Sequence, residues 1–273
     1  MKCKSLYLIL LFAGECLLLT HLSSCSRHKT YRVESETIKI ESPDQIVPLS
    51  ESEVKPLLYI NISGLEKLPV PDAKEKFISA VLPAVLVAKQ EIETLQININ
   101  RLKEEEHWSK EDSSYFEAAR IRYKAKDIDD LILRIGTLPN SIVLAQAAME
   151  SGWGQSRFFL EGNNLFGIWS FKKNEPRIAA GKARQAKTIY VRSYQDMSES
   201  IIHYFEILGS SHAYRSLRKA RLEIDDPVEL LPHLKNFSER RTAYTNQLKE
   251  VVLKNDLIQY DGYRIDPDYL VAN

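Results

Sequence analysis

A mainly α, α+β domain is predicted by three observations. Apolar residues recur at spacings of three and four over most of the chain beyond residue 73. One stretch, 164–194, breaks that rhythm with glycines and a proline. Within it the run "AKTIYVRSY" alternates instead, placing Ile189 and Val191 on one side of an extended segment. Many helices and one small β-lobe follow from this pattern.

The N-terminus reads as an address. Lys2 and Lys4 precede an apolar run from Leu6 to Leu19, the layout of an export signal, too short for a comfortable bilayer span. Leu22-Ser23-Ser24-Cys25 resembles a bacterial lipobox, in which Cys25 is lipidated and becomes the new N-terminus. Residues 1–25 are thus expected to be a lipoprotein signal peptide, although Glu15 interrupts the apolar run. Ser26 is compatible with sorting to an outer membrane, so the expected location is the cell envelope of a Gram-negative bacterium, facing the periplasm. The membrane partner is then met through the anchor.

Residues 26–66 are polar, with Pro43, Pro48 and Pro56 scattered among charges. They are expected to form a flexible linker with a short strand at Thr37–Ile40. A coil of roughly 40 residues has an r.m.s. reach of about 35 Å. The remainder, 67–273, is expected to be one folded domain.

Its first element is a long helix with Phe77, Val81, Val85, Ala88, Ile92, Leu95, Ile99 and Leu102 on one face, Pro83 marking its start or a kink. A second helix is expected over Ser114–Ile135 and a third over Pro139–Ser151, opened by its proline. Ser198 is the expected cap of a helix carrying Ile201, Ile202, Phe205 and Leu208. Asp226-Pro227 starts a helix that Pro232 disturbs. Ser238 is the expected cap of a last helix, with Tyr244, Leu248 and Val251 on one face, ended by Asn255. The sequence leaves the oligomeric state open.

Composition narrows the chemistry. Lys plus Arg and Asp plus Glu are 37 each, a formal net charge of +0, which argues against nucleic acid as partner. Cys3, Cys16 and Cys25 all lie near the start, so the body has no disulfide framework and no thiol nucleophile. The six histidines show no ligand spacing, and neither a metal nor another cofactor is expected.

The stretch "AAMESGWGQSRFFLEGNNLFGIWSF" carries the candidate site. Gly152 and Gly154 end the helix before them, so Glu150 falls in its last turn. The helix C-terminus carries about half a negative charge, which disfavours a carboxylate there. Cover from Trp153, Phe166 or Trp169 would remove water as well, and both effects raise a carboxyl pKa. A carboxylic acid kept protonated near neutral pH is what glycoside cleavage needs to protonate the leaving oxygen.

This stretch resembles the glucosaminidase family of peptidoglycan hydrolases, and is similar to its Bax-like branch in Gram-negative bacteria. The resemblance rests on the Ala-rich helix, the acid, Gly-Trp-Gly and Asn163-Asn164-Leu165-Phe166-Gly167. It extends over roughly Leu68 to Asp261. It implies a lysozyme-like fold, a mannosyl-glycoprotein endo-β-N-acetylglucosaminidase-like activity, and cleavage of peptidoglycan glycan strands after N-acetylglucosamine. Glu150 matches the family's catalytic acid and Tyr244 a tyrosine near its catalytic centre. A second acid that some members carry in the β-lobe is not matched: Ala186-Lys187-Thr188 stands there, with Glu161, Glu175 and Asp196 nearby. Hydrolysis therefore has two rivals, lytic transglycosylation from a lone acid and non-catalytic wall binding by a lipoprotein. For binding the sugar, Trp153, Asn164, Phe166, Trp169 and Tyr204 supply faces and amide groups. The cluster Arg215, Arg218, Lys219 and Arg221 offers charge to peptide carboxylates or anionic lipid.

Overall fold

A computed structural model describes residues 29–181 and 188–273. The export signal and Cys25 lie outside the described residues, as do Ala186 and Lys187. Nine α-helices and nine short strands are present among the described residues.

The segment expected to be a linker is instead folded from residue 31 onward. Strand β1 (Tyr31–Val33) pairs antiparallel with the last strand, β9 (Leu270–Ala272). β2 (Glu36–Lys39), at the site of the expected short strand, runs parallel to β4 (Leu57–Ile60). β3 (Glu53–Val54) runs parallel to β8 (Arg264–Ile265). Ile40, Ile46, Val54, Leu58, Tyr59, Ile62 and Leu65 are buried in the common core. Their burial offsets the chain entropy that a polar segment of this length cannot otherwise recover. Thus 29–66 is part of the domain.

α1 (Val70–Glu104) runs 35 residues. Pro71 sits in its first turn, where a missing N–H costs nothing. Pro83 is neither its start nor a break; it is buried within the helix. The face predicted from Phe77 to Leu102 is buried almost throughout, against the chain's own helices. The expected helix 114–135 is two: α2 (Lys110–Tyr123), capped by Ser109, and α3 (Ile128–Arg134), capped by Asp127. Lys124, with φ 53°, takes the left-handed conformation that separates them.

α4 (Asn140–Ser151) is the central helix, buried along nearly its whole length. Pro139 precedes it as N-cap. Its N-terminal end is docked by Asp261, whose carboxylate accepts from Ser141 N–H at 2.7 Å and from Ser141 Oγ at 2.8 Å. An anion there complements the helix dipole. Asn140 donates to the Tyr260 carbonyl at 2.8 Å, tying α4 to the same C-terminal segment.

α5 (Arg157–Gly162), not foreseen, leads into the β-lobe: β5 (Trp169–Ser170), β6 (Arg177–Ala179) and β7 (Tyr190–Arg192), with β7 between the other two. Val191 is buried there and Ile189 exposed. α6 (Met197–Ser210) is capped by Asp196 rather than Ser198, because Asp196 accepts from Ser198 N–H at 2.7 Å. α7 (Arg215–Ala220) and α8 (Pro227–Leu230) follow, and Pro232 converts the latter into a 3-10 turn over Leu231–Phe237. α9 (Thr242–Lys254) ends at Asn255 as expected, but starts after Arg241, not at Ser238.

Candidate active site

The site is built on the last turn of α4. Gly152 caps the helix with φ 60°, and Glu150 stands two residues earlier, open to solvent on one side. On the other side it meets α9. Although the residue is exposed, the protein beside it raises its pKa above the ordinary carboxyl value, burial being the largest cause. A hydrogen bond from the Tyr244 hydroxyl and the charge of Arg240 work in the opposite direction. Tyr244 is itself almost fully buried, and burial with the nearby Glu150 charge pushes its phenol up, so it remains a donor at all ordinary pH. Tyr214, from the 3-10 turn at His212–Tyr214, is raised to about 12 by burial and by Glu150. Glu150 and Tyr244, predicted from opposite parts of the chain, thus come together.

Behind them lies a further side chain of α4. Gln146, fully buried, donates from Nε2 to the Tyr244 oxygen at 2.9 Å and accepts from the Tyr204 hydroxyl. Its signal was available: a glutamine one helical turn before an acid shares that acid's face.

The predicted sugar-binding residues separate into two groups. Trp169 is 55% exposed on the β-lobe surface, with Phe171 6.2 Å away and 83% exposed. The other four do not present a face or a free amide as predicted. Asn164 is buried, and its amide donates to the carbonyls of Ile168 and Arg192 and accepts from Ile168 N–H, all within about 3 Å. Phe166 and Tyr204 are buried and stack on each other at 4.3 Å. Trp153 turns away toward α1, edge-on to Phe77 at 5.5 Å, with Lys74 Nζ 4.8 Å from its ring centre.

The cause is the Gly-Trp-Gly turn. Gly152, Trp153 and Gly154 all have positive φ, at 60°, 56° and 80°. A tryptophan in that region is strained and is held by its packing. Gly154 cannot carry a side chain, since a Cβ would lie 2.9 Å from Leu65 and 3.0 Å from Phe77. Trp153 is therefore held against α1, and the raised pKa of Glu150 comes from burial, against which Tyr244 and Arg240 both work.

The nearby acids are otherwise engaged. Glu175 accepts from Ser170 Oγ at 2.7 Å and pairs with Arg192 at 3.5 Å. Although burial opposes it, the bonds from Ser170 and Lys172 and the Arg192 charge hold its carboxyl below the usual range. Glu161 pairs with Arg157, and Asp196 caps α6. The basic cluster is also structural in part: Arg218 donates to the carbonyls of Leu208 and Ser211, and Arg221 to those of Leu133, Arg134 and Ile135. Among the described residues no group of three His, Cys, Asp or Glu is placed to hold a metal ion, and no helix is long and apolar enough to cross a membrane.

Residues 125–269 match the family model for glucosaminidase, described as mannosyl-glycoprotein endo-beta-N-acetylglucosaminidase. Protein bax of Escherichia coli (strain K12) is 26% identical over 256 residues, covering 88% of this chain and 89% of that one. Two crystal structures are similar in part. The catalytic domain of the autolysin Auto from Listeria monocytogenes is 19% identical with a TM-score of 0.39, covering 59% of this chain and 94% of that one. A peptidoglycan hydrolase from Sphingomonas sp. A1 is 21% identical with a TM-score of 0.37, covering 53% and 90%.

Proposed function

The chain belongs to the glucosaminidase family and is a glycosidase, and from that premise we propose that it cuts peptidoglycan glycan strands at N-acetylglucosamine with Glu150 as general acid. One observation carries the assignment: a carboxyl of raised pKa in the last turn of α4, in contact with a tyrosine of α9. Protonated, Glu150 delivers its proton to the glycosidic oxygen as the bond to the anomeric carbon breaks. Tyr244 steadies the carboxylate left behind. Trp169, with Phe171 beside it, offers the apolar ring face on which a sugar stacks.

Gel zymography on purified sacculi tests the assignment. Glu150→Gln should lower clearing by about 10²- to 10⁴-fold, the usual worth of a general acid. Equal clearing by the variant and the native protein removes Glu150 from the chemistry. Absence of clearing by both favours wall binding without catalysis.

The engagement of Glu161 with Arg157, of Glu175 with Arg192 and of Asp196 with the start of α6 favours a second reading, cleavage without water. In that case a hydroxyl of the sugar itself attacks the anomeric carbon. Mass spectrometry separates the two: reducing ends follow from hydrolysis and anhydro ends from transglycosylation.

The anchor is part of the same proposal. The Leu22–Cys25 motif supports lipidation of Cys25 and residence at the periplasmic face of the envelope, in the outer membrane. Cys25→Ala should release the protein into the soluble periplasmic fraction; retention in the membrane fraction would refute the anchor.

A further inference from the structure

We propose that Gln146 is a positioning residue that locks the proton of the Tyr244 hydroxyl toward Glu150, and thereby decides which carboxyl oxygen is left to carry the transferable proton. This rests on Glu150 as the acid and goes beyond it.

Gln146 and Glu150 are four residues apart in α4, on one face of the helix. The amide of Gln146 is wholly buried between two buried tyrosines, Tyr204 of α6 and Tyr244 of α9. The direction of each bond follows from the charged end. An ionised carboxylate only accepts, so Tyr244 must donate to it. The Tyr244 oxygen is then the acceptor for the amide N–H of Gln146. The amide oxygen, in turn, receives the Tyr204 hydroxyl.

Reversing the chain requires the buried amide to turn over, and the surrounding rings hold its two partners still. Phe166 stacks on Tyr204 at 4.3 Å, Phe237 stacks on Tyr244 at 5.7 Å, and Phe237 meets Tyr204 edge-on at 6.1 Å. Accepting from the amide also strengthens the phenol as a donor. One oxygen of Glu150 is therefore occupied by Tyr244, and the proton for transfer resides on the other. The remaining charged or titratable groups that act with Glu150 are Arg240, before α9, and Tyr214.

Gln146→Met keeps the length of the side chain and removes both of its hydrogen-bonding groups. The Glu150 titration is followed by carbon-13 NMR of glutamate carboxyls, its signal assigned by loss in Glu150→Gln. kcat and KM are measured on soluble glycan oligosaccharides. Gln146→Met should move the Glu150 midpoint upward, by less than Tyr244→Phe does because the phenol remains, and with no further move when it is added to Tyr244→Phe. kcat should fall with KM unchanged. Tyr204→Phe, which frees the amide oxygen, should move the midpoint the same way by a smaller amount. An unmoved midpoint in Gln146→Met, or shifts that add with those of Tyr244→Phe, overturns the proposal. Should Gln146→Met fail to fold, an unmoved midpoint in Tyr204→Phe does so. The titration needs no turnover, so a fully active Glu150→Gln would sink the acid assignment while leaving this coupling measurable.

Discussion

The guanidinium of Arg240 lies 5.9 Å from the centre of the Tyr244 ring, and its charge stabilises the ionised form of Glu150. Two forces thus oppose each other on one carboxyl: burial, which raises its pKa, and the arginine with the phenol, which lower it. Removing Arg240 removes one restraint. Arg240→Gln should therefore raise the Glu150 pKa further. A general acid works while protonated, so the alkaline limb of the kcat profile should move to higher pH. A limb that stays in place, or moves down, contradicts the electrostatic account.

Trp169 is free of the core, so its loss should be felt by the substrate and not by the fold. Trp169→Ala should raise KM by about 3- to 10-fold, the worth of one stacked aromatic contact. Thermal unfolding should be unchanged. Kinetics on glycan oligosaccharides beside a melting curve checks both; a lowered Tm with unchanged KM would make Trp169 a structural residue.

Gly209, in α6, lies against the ends of α2 and α3. A Cβ there would stand 2.6 Å from the Arg134 carbonyl oxygen and 2.6 Å from the Tyr123 ring. Neither neighbour is the far end of a flexible chain. Gly209→Ala should destabilise by about 1–3 kcal/mol, read as a Tm lowered by about 2–4 °C per kcal/mol for a domain of this size. A variant as stable as the native protein would mean that α2 and α6 can separate without cost.

His203 gives a pH signature unrelated to catalysis. Burial, and then the neighbouring Arg192 charge, push its pKa down from 6.5 to about 4. Its Nδ1 meets the Tyr194 hydroxyl at 2.7 Å. The fold favours the neutral ring, whereas the unfolded chain takes up a proton near 6.5. Stability from this group is full above that pH and is lost as pH falls toward about 4. His203→Gln, which cannot titrate, should show a smaller drop in Tm between about pH 7.5 and about pH 4.5. An identical drop would assign the acid sensitivity to other groups.

The helical part of the fold was largely legible because its signals are local. The apolar run of α4, ended by Gly152, needs nothing from elsewhere in the chain. The β-lobe was legible as an interruption. The N-terminal segment was not, since Ile40, Ile46, Val54, Leu58 and Tyr59 are spaced irregularly among prolines. Their order depends on partners as distant as Arg264–Ile265 and Leu270–Ala272. The break at Lys124 was hidden because lysine is a good helix former whose left-handed turn is imposed by packing. At the site, Glu150 was visible from helix-end chemistry and Tyr244 only from the resemblance. Asn164 misled, because an asparagine that clamps a loop and one that binds a ligand look alike in sequence. Tyr204 misled for a similar reason: its ring is core, and its hydroxyl speaks to Gln146.

The pairing of β1 with β9 fixes the chain from Tyr31 onward. With Cys25 lipidated as proposed, five residues, 26–30, separate the lipid from that strand. Fully drawn out, so few residues span at most about 20 Å. On that proposal Tyr31 stays close to the bilayer, and the depth at which Glu150 meets the wall is set by the rigid body between them, along α1 from Thr94 to Phe77, and not by a long tether.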